Sequence, residues 1–311
     1  MFKSGAGTSR DANSYEEVEG ALEFTSLRSR AFSTLKADKV ALVSVSLVLF
    51  LIFVAIFAPL FAPKDPLFQY PDGLSVVGAP QGLGRHFILG ADQNGRDVLS
   101  RLIYGARVSL TVGIVATALA SFIGVTIGAI SGYLGGWVES VLMRLTDIVL
   151  SFPILLFCIA LIAVTGPSTK NVVLVIAFAY WTYLARIIRS QVLSLKEREF
   201  VIAARSLGLS TPQIIRRHII PHLIPTIIVY STLGVATSIL IEASLSFLGI
   251  GVPLPQPSWG EMISEGQKYF QSAPWLLVAP GMTMIVAVLA FNLMGDWLTD
   301  LFDTSSVGVK R

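Results

Sequence analysis

The stretch "EREFVIAARSLGLSTPQIIRRHIIPHLIP", residues 197–225, is dense in charged residues, yet long uncharged runs lie on both sides of it. Gly208 is typical of the residue that ends a helix. Ser210 and Pro212 suit the N-cap and the first turn of the helix that follows. The stretch therefore predicts two short helices, joined by a tight turn, between two apolar segments.

The composition indicates an integral membrane protein. Of the 311 residues, 53% are hydrophobic and only 14% are charged, and the mean hydropathy is +0.71. Soluble domains carry about 25% charged residues, so lipid-facing side chains must replace part of the polar surface. The net charge of +3 is too small to indicate a nucleic-acid partner, and membrane lipid is the expected surrounding.

Six runs are apolar enough to cross a membrane, which takes about 20 residues in a helix. We expect an all-α integral membrane protein with six transmembrane helices and no cleavable signal. The predicted spans are 40–62, 108–138, 148–169, 171–188, 219–247 and 275–297.

The distribution of Lys and Arg predicts the orientation. With six spans both termini lie on one side, and that side receives 16 of the 23 basic residues. Cytoplasmic loops carry the excess of Lys and Arg, so we expect both termini and the opening stretch to be cytoplasmic. The predicted division is a tail at 1–38, a first helix at 39–62, an external segment at 63–106, a five-helix core at 107–300 with the opening loop at about 196–221, and a tail at 301–311.

Small residues recur every four positions along the second predicted span, at Ala116, Ala120, Gly124, Gly128 and Gly132. Such stripes let helix backbones approach closely in lipid. Packing against a helix of the same chain is favoured over a dimer seam. Gly124 and Gly128 are accordingly candidates for a packing or pathway role.

The chain lacks the motifs of catalytic chemistry. No G-x-x-x-x-G-K-[ST] pattern occurs, so we expect ATP hydrolysis to lie elsewhere and no catalytic residue or bound cofactor here. His218 and His222 have the i, i+4 spacing of metal ligands. Pro221 between them and the lack of a third ligand argue against a metal.

Two carboxylates fall within the predicted spans. Asp147 follows Arg144, and a local ion pair at the membrane edge is the simplest interpretation. Glu242 lies deeper, where a carboxylate is costly unless it faces protein or water. It is therefore a candidate for a pathway or packing role, and a hydrogen bond between helices is slightly favoured.

The first short helix of the opening stretch has two faces. Phe200, Ala203, Ala204 and Leu207 fall on one side, and Arg198, Arg205 and Ser206 fall elsewhere. The small Ala side chains leave room for another surface to sit close. A helix resting on lipid headgroups is the alternative, but it does not explain the Ala-Ala pair or the Gly turn.

The segment "AARSLGLSTPQIIRRHIIP" resembles the cytoplasmic loop of permeases in binding-protein-dependent ABC importers, with its pattern E-A-A-x3-G-x9-I-x-L-P. Ala203, Ala204, Gly208 and Pro221 stand at matching positions. The departures are Ile202 in place of the Glu, His218 in place of the Ile and Ile220 in place of the Leu. In that family this loop is the coupling helix that docks on the ATPase.

Three further stretches resemble the dipeptide, oligopeptide and nickel permease group, in the subunit type with one span before the common core. They are "LGADQNGRDVLSRLIYGARVSL" at 89–110, "EASLSFLGIGVPLPQPSWGEMI" at 242–263 and "NLMGDWLTDLFD" at 292–303. The resemblance runs from about residue 30 to 303 and leaves out the N-terminal tail.

The resemblance implies a type I ABC importer permease in a bacterial or archaeal cytoplasmic (inner) membrane. Its partners would be a second, homologous permease, two ABC ATPase subunits that bind ATP and Mg, and an external solute-binding protein. The implied ATPase-coupling residues are Phe200, Ala203, Ala204, Arg205, Leu207 and Gly208. From topology alone, the candidates for contact with the binding protein are Asp92, Arg96, Asp97 and Trp259.

Peptides are the default solute that the resemblance implies. A nickel complex, glutathione or an oligosaccharide is the alternative within the same class. A secondary transporter coupled to an ion gradient is the rival class, but it needs coupling-ion groups near the midplane and often an inverted repeat. Apart from Glu242 the predicted spans are almost free of charge, and the two halves show no repeat.

Overall fold

The computed structural model describes residues 32–307, with side chains described up to residue 302, so residues 1–31 of the predicted tail over 1–38 and the last four residues lie outside the described residues. A helical stretch at 32–37 precedes the first long helix. The helices are α1 (Lys39–Ile56), α2 (Ala58–Phe61), α3 (Val98–Leu134), α4 (Gly136–Leu150), α5 (Ile154–Thr165), α6 (Thr169–Leu195), α7 (Glu199–Ser206), α8 (Thr211–Ile214), α9 (Ile220–Phe247), α10 (Trp259–Gln267) and α11 (Trp275–Val307).

The expected all-α membrane architecture is confirmed. Five of these helical segments are long and apolar enough to cross a membrane, and α4 with α5 makes a sixth if that bent pair counts as one span. The third span was predicted over 148–169, and the structure divides this region between the end of α4 and α5, which are bent by 90° at residues 151–153. Pro153 stands at the N-cap of α5, where its missing N–H and fixed φ interrupt the helix.

The second span begins earlier than its predicted start at residue 108. Helix α3 starts at Val98, because Asp97 caps it by accepting a hydrogen bond from the Ser100 backbone N–H at 2.8 Å. The predicted external segment over 63–106 therefore ends at Asp97. The long connections at this end of the molecule, 62–97 and 248–274, together form what we call the loop end.

The last two spans along the chain also differ from prediction at their ends. Helix α9 begins at Ile220, one residue from the predicted start, after one π-helical turn at Ile215–Ile219. Helix α11 continues as far as Val307, so the predicted tail over 301–311 begins as helix. Between these two spans lies α10, with five of its residues buried in the protein.

Helix α3 lies at the centre of the bundle and runs parallel to α6. The predicted small-residue stripe makes this contact, which confirms packing within the chain. A methyl group added at Gly124 or Gly128 would lie 2.7 Å from the Trp181 carbonyl oxygen or 2.6 Å from that of Ala185. The two backbones therefore touch with no side chain between them. At the far end, the Lys196 ammonium donates a hydrogen bond to the Gly132 carbonyl at 3.2 Å.

Candidate functional site

The short-helix segment, which we define as residues 199–219, lies at the end of the bundle opposite the loop end and follows α6 directly. Helix α7 ends at Ser206, and Gly208 adopts a φ of +80°, a conformation that glycine reaches without strain. Ser210 and Gln213 then form a capping box at the start of α8, in which the Ser210 backbone N–H donates to the Gln213 Oε1 at 2.9 Å. The predicted pair of short helices with a tight turn is confirmed.

One face of α7 packs on the bundle. Val201 and Ala204 are 0% and 4% exposed, within an apolar cluster that includes Ile188 and Val192 of α6. Phe200 is half-buried and stacks on the His222 ring, with a centroid distance of 4.6 Å. Ala204 and Phe200 therefore hold the short-helix segment in place, and the prediction that Ala204 lies on the free face with Ala203 and Leu207 is wrong.

The opposite face of α7 is free and partly apolar. Leu207 is 80% exposed and Ile202 is 48% exposed, and Ala203 and Gly208 are exposed beside them. Arg205 is also exposed, and its guanidinium lies 5.7 Å from the centroid of the Tyr133 ring. Ile202, where the family pattern has a Glu, contributes to this exposed apolar surface.

Ion pairs fix the region next to the short-helix segment. Arg189 of α6 donates to Glu139 of α4, with Nε to Oε1 at 2.7 Å. Asp147 accepts from Arg186 at 2.5 Å, and this partner replaces the predicted Arg144. Two arginines of α6 therefore hold α4 against the bundle.

The His pair has local contacts. The His222 ring nitrogen Nδ1 lies 2.7 Å from the His218 carbonyl oxygen, within one turn of helix. No group of three or more metal-ligating side chains occurs within residues 32–302.

At the loop end, five charged side chains form a network, which we call the loop-end cluster, and all but Glu265 are buried: Asp92, Arg96, Arg101, Glu261 and Glu265. Arg101 donates through Nη2 to both Glu261 oxygens, at 3.1 and 3.0 Å, and to Glu265 at 3.0 Å. The Arg96 Nε donates to Asp92 Oδ2 at 2.6 Å. The cluster ties the first turn of α3 and the loop before it to α10, 160 to 169 residues further along the chain.

The electrostatics of the cluster depend on Glu261. Burial raises the pKa of the Glu261 carboxyl to about 7, although the guanidinium of Arg101 opposes this shift. The neighbouring carboxylate of Glu265 raises the pKa further. Glu261 therefore exchanges its proton near neutral pH, at a position between two arginines and a second glutamate.

The four candidates for contact with a binding protein are all buried. Asp92, Arg96, Asp97 and Trp259 are 3%, 5%, 1% and 0% exposed. The Trp259 indole N–H donates to the Leu102 carbonyl at 3.2 Å, and Asp97 is occupied in capping α3. The prediction that they form a docking surface is wrong in this structure, because their polar groups are used within the chain.

Glu242 is fully buried between α9, α3 and the chain that leads into α10. Its carboxylate accepts hydrogen bonds from the Ser109 hydroxyl at 2.9 Å and from the Ser246 hydroxyl at 2.7 Å. Ser109 also accepts from the Trp259 backbone N–H, and Ser246 from that of Val252, each at 3.2 Å. These contacts match the favoured packing interpretation, since one carboxylate organises three parts of the chain.

Arg101, Glu261 and Glu265 were not singled out from the sequence. The signal was their position inside the two signature stretches at 89–110 and 242–263 or just after them. All three belong to segments that the sequence predicts to be external.

Comparison with known proteins agrees with these features. The family described as "Binding-protein-dependent transport system inner membrane component" matches residues 124–306, and "N-terminal TM domain of oligopeptide transport permease C" matches residues 26–75. An inward-facing structure of the MetNI methionine ABC transporter has the same fold, with a TM-score of 0.54 at 16% identity, covering 65% of this chain and 97% of that one.

Curated relatives are similar over most of their length. The dipeptide transport system permease protein DppC of Alkalihalophilus pseudofirmus is 41% identical, over 88% of each chain. The oligopeptide transport system permease protein OppC of Haemophilus influenzae is 39% identical, over 94% of this chain and 92% of the relative. That of Bacillus subtilis is 35% identical, over 97% and 96%.

The family match and these relatives make the chain a transport permease, the type of subunit that leaves ATP hydrolysis to separate subunits. The chain belongs to the binding-protein-dependent ABC importer permeases. The expected family is thereby confirmed.

Proposed function

We propose that this chain forms half of the transmembrane pathway of a peptide importer and that its short-helix segment docks on an ATPase subunit. The exposed apolar face of α7 carries the proposal. Ile202 and Leu207 are open to solvent at the end of the bundle predicted to be cytoplasmic. An apolar patch held in place by a buried inner face is suited to contact with a protein partner.

The peptide assignment rests on the relatives, which are named as dipeptide and oligopeptide permeases. The partners in this proposal are a homologous second permease, two ATPases that bind ATP and Mg, and an external solute-binding protein. The chain lies in the cytoplasmic membrane with both termini inside, so the loop end faces outward. Exposed residues of 67–88, rather than the four buried candidates, are available there for the binding protein.

Movement of the ATPases would reach the pathway through the short-helix segment. This segment continues from α6 after three residues and leads into α9 through the π-helical turn. A displacement of α7 is therefore applied directly to two spans. The role of this chain is mechanical coupling, and ATP chemistry belongs to the partner subunits.

The test changes the free face of α7 without disturbing the inner face. Leu207→Glu places a charge in the proposed interface, and we expect the ATPase subunits to be lost from the purified complex and peptide uptake to fall by at least about tenfold. Leu254→Glu is the matched control, because Leu254 is an exposed apolar residue of the loop end that lies outside residues 67–88.

Co-purification and uptake of a labelled peptide are measured together. Full assembly and uptake with Leu207→Glu would show that α7 is not the docking helix. A second outcome is that the complex loses its ATPase subunits with Leu207→Glu but takes up a nickel complex, glutathione or an oligosaccharide rather than peptides. That result would support the coupling role of α7 and would replace peptides as the proposed solute.

A further inference from the structure

Two cavities meet beside α1 at the loop end, and Arg107 of α3 lines both. The larger, of about 660 Å³, lies between the chain that follows α1 and the start of α3. The smaller, of about 310 Å³, is a groove between α1 and α3. A single elongated ligand that occupied both would pass the Arg107 side chain.

Arg107 is an exposed cation nine residues after the start of α3, directly before the uncharged run that begins at Val108. No hydrogen bond or ion pair reaches its side chain from the rest of the described chain, residues 32–302. A charged side chain within a span is costly unless it has a partner or reaches the membrane interface. At about 1.5 Å per residue, Arg107 lies some 14 Å from the start of α3, close to the outer end of α1.

Of the two cations that line the larger cavity, Lys64 is engaged by aromatic rings, and Arg107 is available to a ligand. The Lys64 ammonium lies 3.7 Å from the centroid of the Phe87 ring and 4.6 Å from that of Tyr70, so it is already engaged by two aromatic faces. Asp65 also lines the cavity, and one of its oxygens accepts a hydrogen bond from the Leu67 backbone N–H at 2.8 Å. With two cations and one carboxylate, the cavity is suited to a monoanion.

The groove is apolar and opens at the edge of the bundle. Ile52 and Ile56 of α1 face Leu110 and Ile114 of α3 across it. Only 28% of the apolar window of α1 is buried in the chain, against 56% for α6. Helix α1 is therefore peripheral in this chain, and the groove beside it is open to whatever surrounds the chain.

We propose that Arg107 and this groove form a binding site for an anionic phospholipid. The phosphate lies in the larger cavity against the Arg107 guanidinium, and an acyl chain lies in the groove between α1 and α3. Arginine suits this role because its planar fork of N–H donors matches phosphate oxygens. The bound lipid fills the gap between the first helix and the permease core at the loop end.

The test counts lipids bound to the assembled importer complex by native mass spectrometry after exchange into micelles that contain equal phosphatidylglycerol and phosphatidylethanolamine. Arg107→Gln removes the cation, and Arg85→Gln is the control, because Arg85 is an exposed arginine of the loop end outside both cavities. We expect phosphatidylglycerol to bind about tenfold more weakly to Arg107→Gln than to the control. Thr111→Trp fills the groove and keeps the charge, and we expect a similar loss.

Several outcomes would overturn the assignment. Equal binding of phosphatidylglycerol to Arg107→Gln and Arg85→Gln would remove the headgroup site. Equal retention of the two lipids by the unaltered complex would indicate an ordinary lipid annulus. Displacement of the lipid by excess inorganic phosphate would indicate a site for a free anion, and displacement by a transported peptide a site for solute.

Discussion

The two ends of this permease use charged residues in opposite ways. At the loop end, Arg96 and Arg101 are 5% and 1% exposed and are paired with carboxylates inside the protein. At the short-helix end, Arg205, Arg216 and Arg217 are exposed around an apolar face. The loop end is therefore held together by its charges, whereas the short-helix end presents them. A charged signature stretch indicates a docking surface only when the side chains are free.

The largest effect is expected from breaking the loop-end cluster. Arg101→Met leaves the buried Glu261 without its cation and leaves Glu265 paired with Arg96 alone, and removing one partner of a buried pair costs about 3–5 kcal/mol. We expect a marked fall in the unfolding temperature of the detergent-solubilised protein. Arg85→Met is the control at an exposed site of the same loop. Equal stability of the two variants would mean that the cluster does not hold the loop end.

The pH dependence of stability is expected to come from the same cluster. Because the pKa of Glu261 is raised from 4.5 to about 7 in the folded protein, the folded state keeps a proton that the unfolded state releases between these values. The free energy of unfolding should therefore fall as pH rises from about 4.5 to about 7, by up to about 3 kcal/mol.

The measurement is the unfolding temperature of the solubilised protein across this pH window. Glu261→Gln should flatten the dependence, since the amide does not titrate. An unchanged slope in this variant would assign the dependence to other groups. A rise in stability with pH in the unaltered protein would contradict the proposed proton uptake.

The smallest effect is expected at the short-helix end. Ser210→Ala removes the capping box of α8 and should cost about 1 kcal/mol. We expect little change in the overall unfolding temperature but faster proteolysis near residue 210, because the loss is local. Ser140→Ala is the control, since its hydroxyl bonds only to a carbonyl within its own helix. Global destabilisation by Ser210→Ala would show that this end is tied to the core as firmly as the loop end.

The sequence was sufficient for the all-α membrane architecture of five or six spans and for the turn at Gly208, because apolar length and local capping chemistry decide both. The predicted start of the second span is ten residues later than the start of α3, because Arg101 and Arg107 interrupt the apolar run. Asp97, three residues before Ser100, is a recognisable N-cap that indicates the earlier start. The apolar pattern misses the break at Pro153 because the surrounding residues carry no charge. In both cases the end of the helix depends on capping residues or proline, and the distribution of charge does not indicate it.

The loop-end cluster was beyond prediction from the sequence. Arg101 meets Glu261 across 160 residues, and nothing in the local pattern of either segment records that pairing. The buried face of α7 was misjudged for a related reason. Helical periodicity groups Ala203 with Ala204, but which of the two faces the bundle depends on where α3 and α6 lie.

The contact between α3 and α6 makes these two helices behave as one rigid unit. Their backbones touch at successive glycines, so a slide of one residue would bring a larger side chain against a carbonyl oxygen. Helix α6 alone is about 40 Å long. A force applied at one end of this helix pair is therefore transmitted to the other end as a tilt or translation of both helices together. Little of it is lost to bending or to sliding of α3 against α6.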